Sequence, residues 1–151
     1  MPFLDPLRVA EHIHGHLGWL AAIALAHPAV LLRNHRRRAH LSVAVAVGIG
    51  TLAGILGASL YPAYRETLRE PIFAETPTVG YLFERKEHLA FGCLLLAWAG
   101  AVAYLGASRR CVNVGQRDAL RRAAHWAFVA SAILAFGTAT LGTVVATVGT
   151  F

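Results

Sequence analysis

Four apolar runs, at roughly 13–33, 41–61, 89–107 and 126–148, hold no Asp, Glu, Lys or Arg in their interiors. Each has the ~20 residues that a helix needs to cross a ~30 Å hydrocarbon core. Hydrocarbon offers no water to the peptide groups, so a single spanning segment must satisfy its own backbone as a helix. The expected fold is therefore all-α: an integral membrane four-helix bundle of two helical hairpins. It forms one domain over residues 1–151, with helices at about 6–33, 38–61, 78–107 and 118–148. Composition agrees, since 56% of residues are hydrophobic and only 15% are charged, too few to solvate a soluble domain.

Charge sets the expected orientation. The stretch "RNHRRRAH" (33–40) carries four arginines, and "SRRCVNVGQRDALRR" (108–122) carries five against one Asp. The segment 62–87 is mixed, with four basic and five acidic residues. Arginine-rich loops stay in the cytoplasm. This places both termini and the 62–87 segment on the non-cytoplasmic side, in a multi-pass protein of a bacterial inner (cytoplasmic) membrane. The net charge of +6 is then a topology signal, and no nucleic-acid partner is expected. The start, "MPFLDPLRVAEHIHGH", has no basic region running into an apolar core, so no cleavable signal peptide is expected. Cys93 and Cys111 sit at different depths, which argues against a disulfide.

Local signals refine the helices. Asp5–Pro6 and Thr76–Pro77 fit an N-cap followed by a first-turn proline. Between the second and third spans, "YPAYRETLREPIFAETP" (61–77) suits a short interfacial helix. Ala46, Gly50, Gly54 and Ala58 recur every four residues, a small-residue ridge for close helix approach. Thr140, Thr143, Thr147 and Thr150 form a stripe whose hydroxyls can bond back to helix carbonyls. The hairpins also echo each other: "EHI" (11–13) against "EHL" (87–89), and "RRAHL" (37–41) against "RRAAHW" (121–126). That echo implies a parallel repeat about an axis along the membrane normal.

The histidines carry the functional expectation. By side they divide into His12, His14, His16 and His88 outside, and His27, His35, His40 and His125 inside. At ~100° per residue, His12, His16 and His27 share one face of the first helix and His14 points away. Ionisable residues in membrane helices are costly and usually functional, and neutral imidazole is an axial ligand for haem iron. An outer pair would join His88 to His16 or His12. An inner pair would join His125 to His27 or His40, with the deeper His27 preferred. His35 and His40, among arginines, read as surface residues. His27, just before Pro28, also reads as a partner for a carbonyl freed by the proline.

In its four helices and its histidine placement the chain resembles small four-helix b-type membrane cytochromes. The resemblance implies one or two haem b groups, held by His16, His88, His12, His27 and His125 as cofactor-binding residues. The iron's axial ligands would be His16 with His88 and His27 with His125. It implies an electron carrier rather than a stand-alone enzyme, linked to quinone and to other membrane redox subunits of a respiratory or photosynthetic complex. The family often has two buried histidines on each of two helices; here only the first helix does. There is no C-x-x-C-H for covalent haem, and no hydrolase, P-loop or dinucleotide fingerprint.

Two other readings compete. One is a cofactor-free accessory or assembly subunit of a membrane complex. The other is a non-haem metal site on the outer face, gathering Glu11, His12, His16, Glu84, Glu87 and His88, a donor set that suits zinc, iron or copper. Arg85 and Lys86 offer the same carboxylates ion pairs instead. The expected orientation has a direct check: Cys111 reacts with membrane-permeant thiol reagents in intact cells and not with impermeant ones. Rapid impermeant labelling would reverse the topology.

Overall fold

The computed structural model describes residues 6–33, 39–109 and 112–147; Asp5, His35, Cys111 and Thr150 lie outside the described residues. Five helices follow in order: α1 (Pro6–Leu32), α2 (His40–Thr67), α3 (Arg69–Glu75), α4 (Pro77–Ala107) and α5 (Val114–Ala146). Of these, α1, α2, α4 and α5 are long and apolar enough to span a membrane. The protein is an all-α, multi-pass membrane protein.

Local chemistry explains the boundaries. The second span runs to Thr67, past the expected end at 61, with Pro62 inside it. Proline removes one N–H and crowds the carbonyl four residues back. Pro62 and Ala58 are both exposed, so the ring lies on the outside of the bundle. The short helix expected within 61–77 is α3. Thr76 ends it and begins α4: its N–H donates to Ile72 O at 2.8 Å, and Pro77 takes the first turn of α4. The Thr76 hydroxyl also turns back to Ile72 O, at 3.3 Å, so it does not cap α4. Helix α5 starts at Val114, ahead of 118, because Asn113 and Gln116 form a capping box. The Gln116 N–H donates to Asn113 Oδ1 at 2.8 Å, and the Asn113 N–H to Gln116 Oε1 at 3.3 Å. Such a box satisfies two orphan donors of a first turn.

Around the bundle the order is α1–α2–α4–α5. Helix α1 packs on α2 and α5, while α4 packs closely on α5 and more sparsely on α2. Helices α1 and α4 are diagonal. A two-fold axis along the bundle would produce this order from two equivalent hairpins, but the α1–α5 seam is tight and the α2–α4 seam is not. One end of the bundle gathers the starts of α1 and α4 and the ends of α2 and α5. It is called the terminal end below; the other, with the two arginine-rich connections, is the arginine end.

Small residues make the core. Ala22, Ala46, Ala97 and Ala124 are fully buried, with Leu25, Leu32 and Phe128 filling the space between. Phe128 is seated over Gly100: a Cβ on that glycine would lie 3.1 Å from two ring carbons and 3.2 Å from Ala127 Cβ. Leu94 uses the ridge on α2 in the same way, within 3.7 Å of a Cβ at Gly50 and closer at Gly54. Ala58 has left the ridge and is exposed. Four-residue spacing drifts about 40° per step against a 3.6-residue turn, so a ridge of that period turns off the contact after three steps. The threonine stripe behaves as expected, with Thr140 and Thr143 donating to Phe136 O and Ala139 O at 2.8 and 3.0 Å.

Gly100→Val is expected to cost about 1–3 kcal/mol by overpacking. Gly137→Ala, whose Cβ would meet nothing within 4 Å, should stay within about 0.5 kcal/mol of wild type. Reversible unfolding in mixed micelles measures both. Equal stability of the two variants would refute the Phe128–Gly100 seat.

Candidate functional site

Helix α1 buries Ala21, Ala22, Leu25, Pro28, Ala29 and Leu32. His14 is eleven residues before Leu25, which leaves it about 20° away on the helical wheel. His14 therefore belongs to the inward stripe, with Glu11 one turn earlier. His12 and His16 fall on the opposite side of α1 and are exposed, as is His27. The shared face of His12, His16 and His27 exists, but it turns away from the bundle.

The inward histidine sits in a close contact. Its ring lies on Gly57 of α2, where a Cβ would be 2.7 Å from Cε1 and 3.3 Å from Nε2. The Ala53 backbone is beside it. Its Nδ1 is buried and has no hydrogen-bond partner among the described residues. Only a glycine leaves room there for an imidazole.

Around His14 the terminal end is polar. Lys86 of α4 holds its ammonium 4.3 Å from the centre of the Phe83 ring, in the cation–π range. Its side chain passes Gly142 of α5, whose Cβ would be 3.7 Å from Lys86 Cδ. Glu87 and Glu11 are the carboxylates that act on Lys86. Tyr64 of α2 is buried and stacks on Phe83 with ring centres 3.8 Å apart. Its hydroxyl and Thr138 Oγ1 are further buried polar atoms without partners among the described residues. Arg69 of α3 pairs with Glu84 at 3.3 Å, an exposed pair, and lies over Phe73 at 5.2 Å. The arrangement is a polar cap of α1–α4 side chains, with orphan groups that water or a polar ligand can satisfy.

The other expected ligands lie elsewhere. His88 is exposed, and its Nδ1–H donates to Glu84 O of its own helix at 2.8 Å. At the arginine end, His27 Nδ1 hydrogen-bonds Ser42 Oγ at 2.9 Å, joining α1 to the start of α2. His125 Nδ1–H donates to Ala29 O at 2.9 Å. Ala29 lies in the last turn of α1, where carbonyls lack helical partners, so α5 caps α1. His40 is exposed and packs edge-on against Tyr104, 5.0 Å between ring centres.

The outer metal reading gains no support from this geometry. Among the described residues no three His, Cys, Asp or Glu side chains gather as a metal site. Glu11 turns inward while His12 and His16 turn outward, and α4, with Glu84, Glu87 and His88, stands diagonal to α1. Sequence reasoning set His14 aside. The signal that finds it is the heptad-like series His14, Gly18, Ala21, Leu25, Pro28 and Leu32, which carries the inward stripe.

Fold and site together define a four-span membrane bundle with a polar cap at one end. No family model, curated protein or solved structure matches the chain. The functional reading therefore rests on these residues.

Diethylpyrocarbonate in mild detergent, read by peptide mass spectrometry, should modify His12 and His16 quickly and His14 several-fold more slowly. Gly57→Val should expose His14, because the added carbon takes the place of its ring. Equal rates at all three histidines in the wild type would contradict the inward position of His14.

Proposed function

We propose that the protein is an accessory subunit of a larger membrane assembly, a four-helix structural element with no haem of its own. The observation that carries this reading is the outward pair His12 and His16, one turn apart on the side of α1 opposite its core stripe. Imidazoles exposed on a membrane helix are costly unless a polar partner meets them, and a neighbouring subunit that hydrogen-bonds them removes the cost. At the arginine end, His27 and His125 join helices to one another, a role that needs no cofactor. The orientation that goes with this reading has the arginine end in the cytoplasm, in a bacterial inner membrane.

A second reading, haem binding with electron transfer, keeps one specific support. His88 and His125 each donate Nδ1–H to a backbone carbonyl. That is how a ligating histidine is usually oriented, with Nε2 presented to the metal. This reading pairs His88 with His16 or His12 and His125 with His27, with quinone and redox subunits as partners, and it requires α1 to turn from the orientation described, in which His12 and His16 face away from the bundle.

One preparation separates the two. Protein purified from haem-replete cells is assayed by pyridine haemochrome. A photo-crosslinking residue is placed at His16 and, as a lipid-facing control, at Val102. The accessory reading expects no stoichiometric b-type haem and one recurrent protein adduct from position 16 alone. Stoichiometric haem b, lost in His16→Ala and His88→Ala, would replace it with the cytochrome reading.

A further inference from the structure

The sparse seam between α2 and α4 is closed over part of its length. Leu94 fills the seam at Gly50 and Gly54, and Trp98 Nε1 donates to Thr51 Oγ1 at 3.2 Å. Toward the arginine end the two helices leave a lateral groove of about 650 Å³. Val47, Gly48 and Leu52 line it from α2, and Ala101 and Leu105 from α4. Gly48 faces open space, since a Cβ there would meet nothing within 4 Å. The groove ends at His40 and Tyr104, where the Tyr104 hydroxyl accepts the Ala39 N–H at 2.7 Å and ties α4 to the start of α2.

We propose that this groove seats one acyl chain of an anionic phospholipid from the leaflet at the arginine end, with the phosphate at the His40 lip. Length is the first argument. From His40 to Leu52 the groove runs about 18 Å at ~1.5 Å per residue, close to half of a ~30 Å hydrocarbon core. A partner helix would need a channel across both leaflets, and the Leu94 and Trp98 contacts block one. The second argument is lining chemistry. The volume falls in the ~300–1,000 Å³ range of ligand pockets, yet below the His40 and Tyr104 lip the walls are alanine, valine, leucine and glycine, apart from Thr51 and Trp98. The hydroxyl of Thr51 is engaged by Trp98. A buried polar head group would find only the Thr51 hydroxyl at depth, whereas a hydrocarbon chain needs no donor. Charge complementarity is the third. The lip carries exposed His40; exposed Arg109 follows Tyr104 by five residues, and exposed Arg33 comes directly after α1 at the same end of the bundle. Basic pockets between membrane helices bind anionic head groups in this way.

Native mass spectrometry of the full chain in neutral detergent tests it, with dioleoylphosphatidylglycerol and dioleoylphosphatidylcholine as probes. The expected result is one retained phosphatidylglycerol per chain, favoured about fivefold or more over phosphatidylcholine. Gly48→Leu and Ala44→Leu fill the groove from exposed positions and should each lose the adduct while keeping helicity and elution volume. The Arg33→Gln, Arg109→Gln pair should lose the preference between lipids. Ile133→Leu, exposed on α5, should change nothing. Equal retention of the two lipids by wild type overturns the proposal, as does an adduct unchanged in both groove variants. A fall in oligomeric mass in the groove variants assigns the groove to a second copy instead. Displacement of the lipid by equimolar decylubiquinone assigns it to a quinone.

Discussion

A polar group inside hydrocarbon has no water to turn to, so it must find its partner in its own helix or on a neighbouring one. In this bundle that constraint sets how the helices are joined. Ser131 Oγ donates to Cys93 O at 2.8 Å, and Cys93 Sγ reaches Ser131 O at 3.3 Å, a reciprocal link across the buried α4–α5 seam. Trp19 donates to Thr143 between α1 and α5, and Trp98 to Thr51 between α4 and α2. At the arginine end, Tyr104, His27 and His125 join α4 to α2, α1 to α2 and α5 to α1. Each such bond is worth only about 0.6–2 kcal/mol in a membrane. Their value lies in register: each forms at one axial offset between its two helices.

Small side chains let the constraint be met. Gly100 admits Phe128, Gly50 and Gly54 admit Leu94, and Gly57 admits His14. The first two contacts draw apolar surfaces together, and the third brings an imidazole into the interior. The polar cap lies at the same end, where Lys86 is close enough to act on His14 and Glu11 on Lys86. The seams are unequal for a related reason. On α1–α5, Ala22 and Ala29 meet Ala132 and Phe128 in one continuous core. On α2–α4, Leu94 and Trp98 fill the middle while Gly48 and Ala101 leave the arginine half open. The two hairpins occupy equivalent places in the ring without being equivalent in packing.

Much of the frame was legible in the chain. Apolar length and the scarcity of charge mark four spans, Thr76–Pro77 marks the start of α4, and the proline-rich 61–77 segment contains α3. The Asn113–Gln116 box was present in the letters and passed over, so α5 was expected to start late. The second span was expected to end at 61, where its apolar run stops; Pro62 lies on the exposed side, and α2 continues past it to Thr67.

The sequence by itself determined that these segments are helices and which residues share a face. Helix periodicity and the absence of water in hydrocarbon leave little else. It did not determine which face turns inward. In a soluble bundle the apolar face identifies itself, but lipid is as apolar as a protein core, so both sides of α1 read alike. The tertiary structure decided it through size rather than hydrophobicity. Ala21, Ala22 and Ala29 allow close approach, α2 and α5 pack there, and His14 is carried inside while His12 and His16 are left on the outer surface.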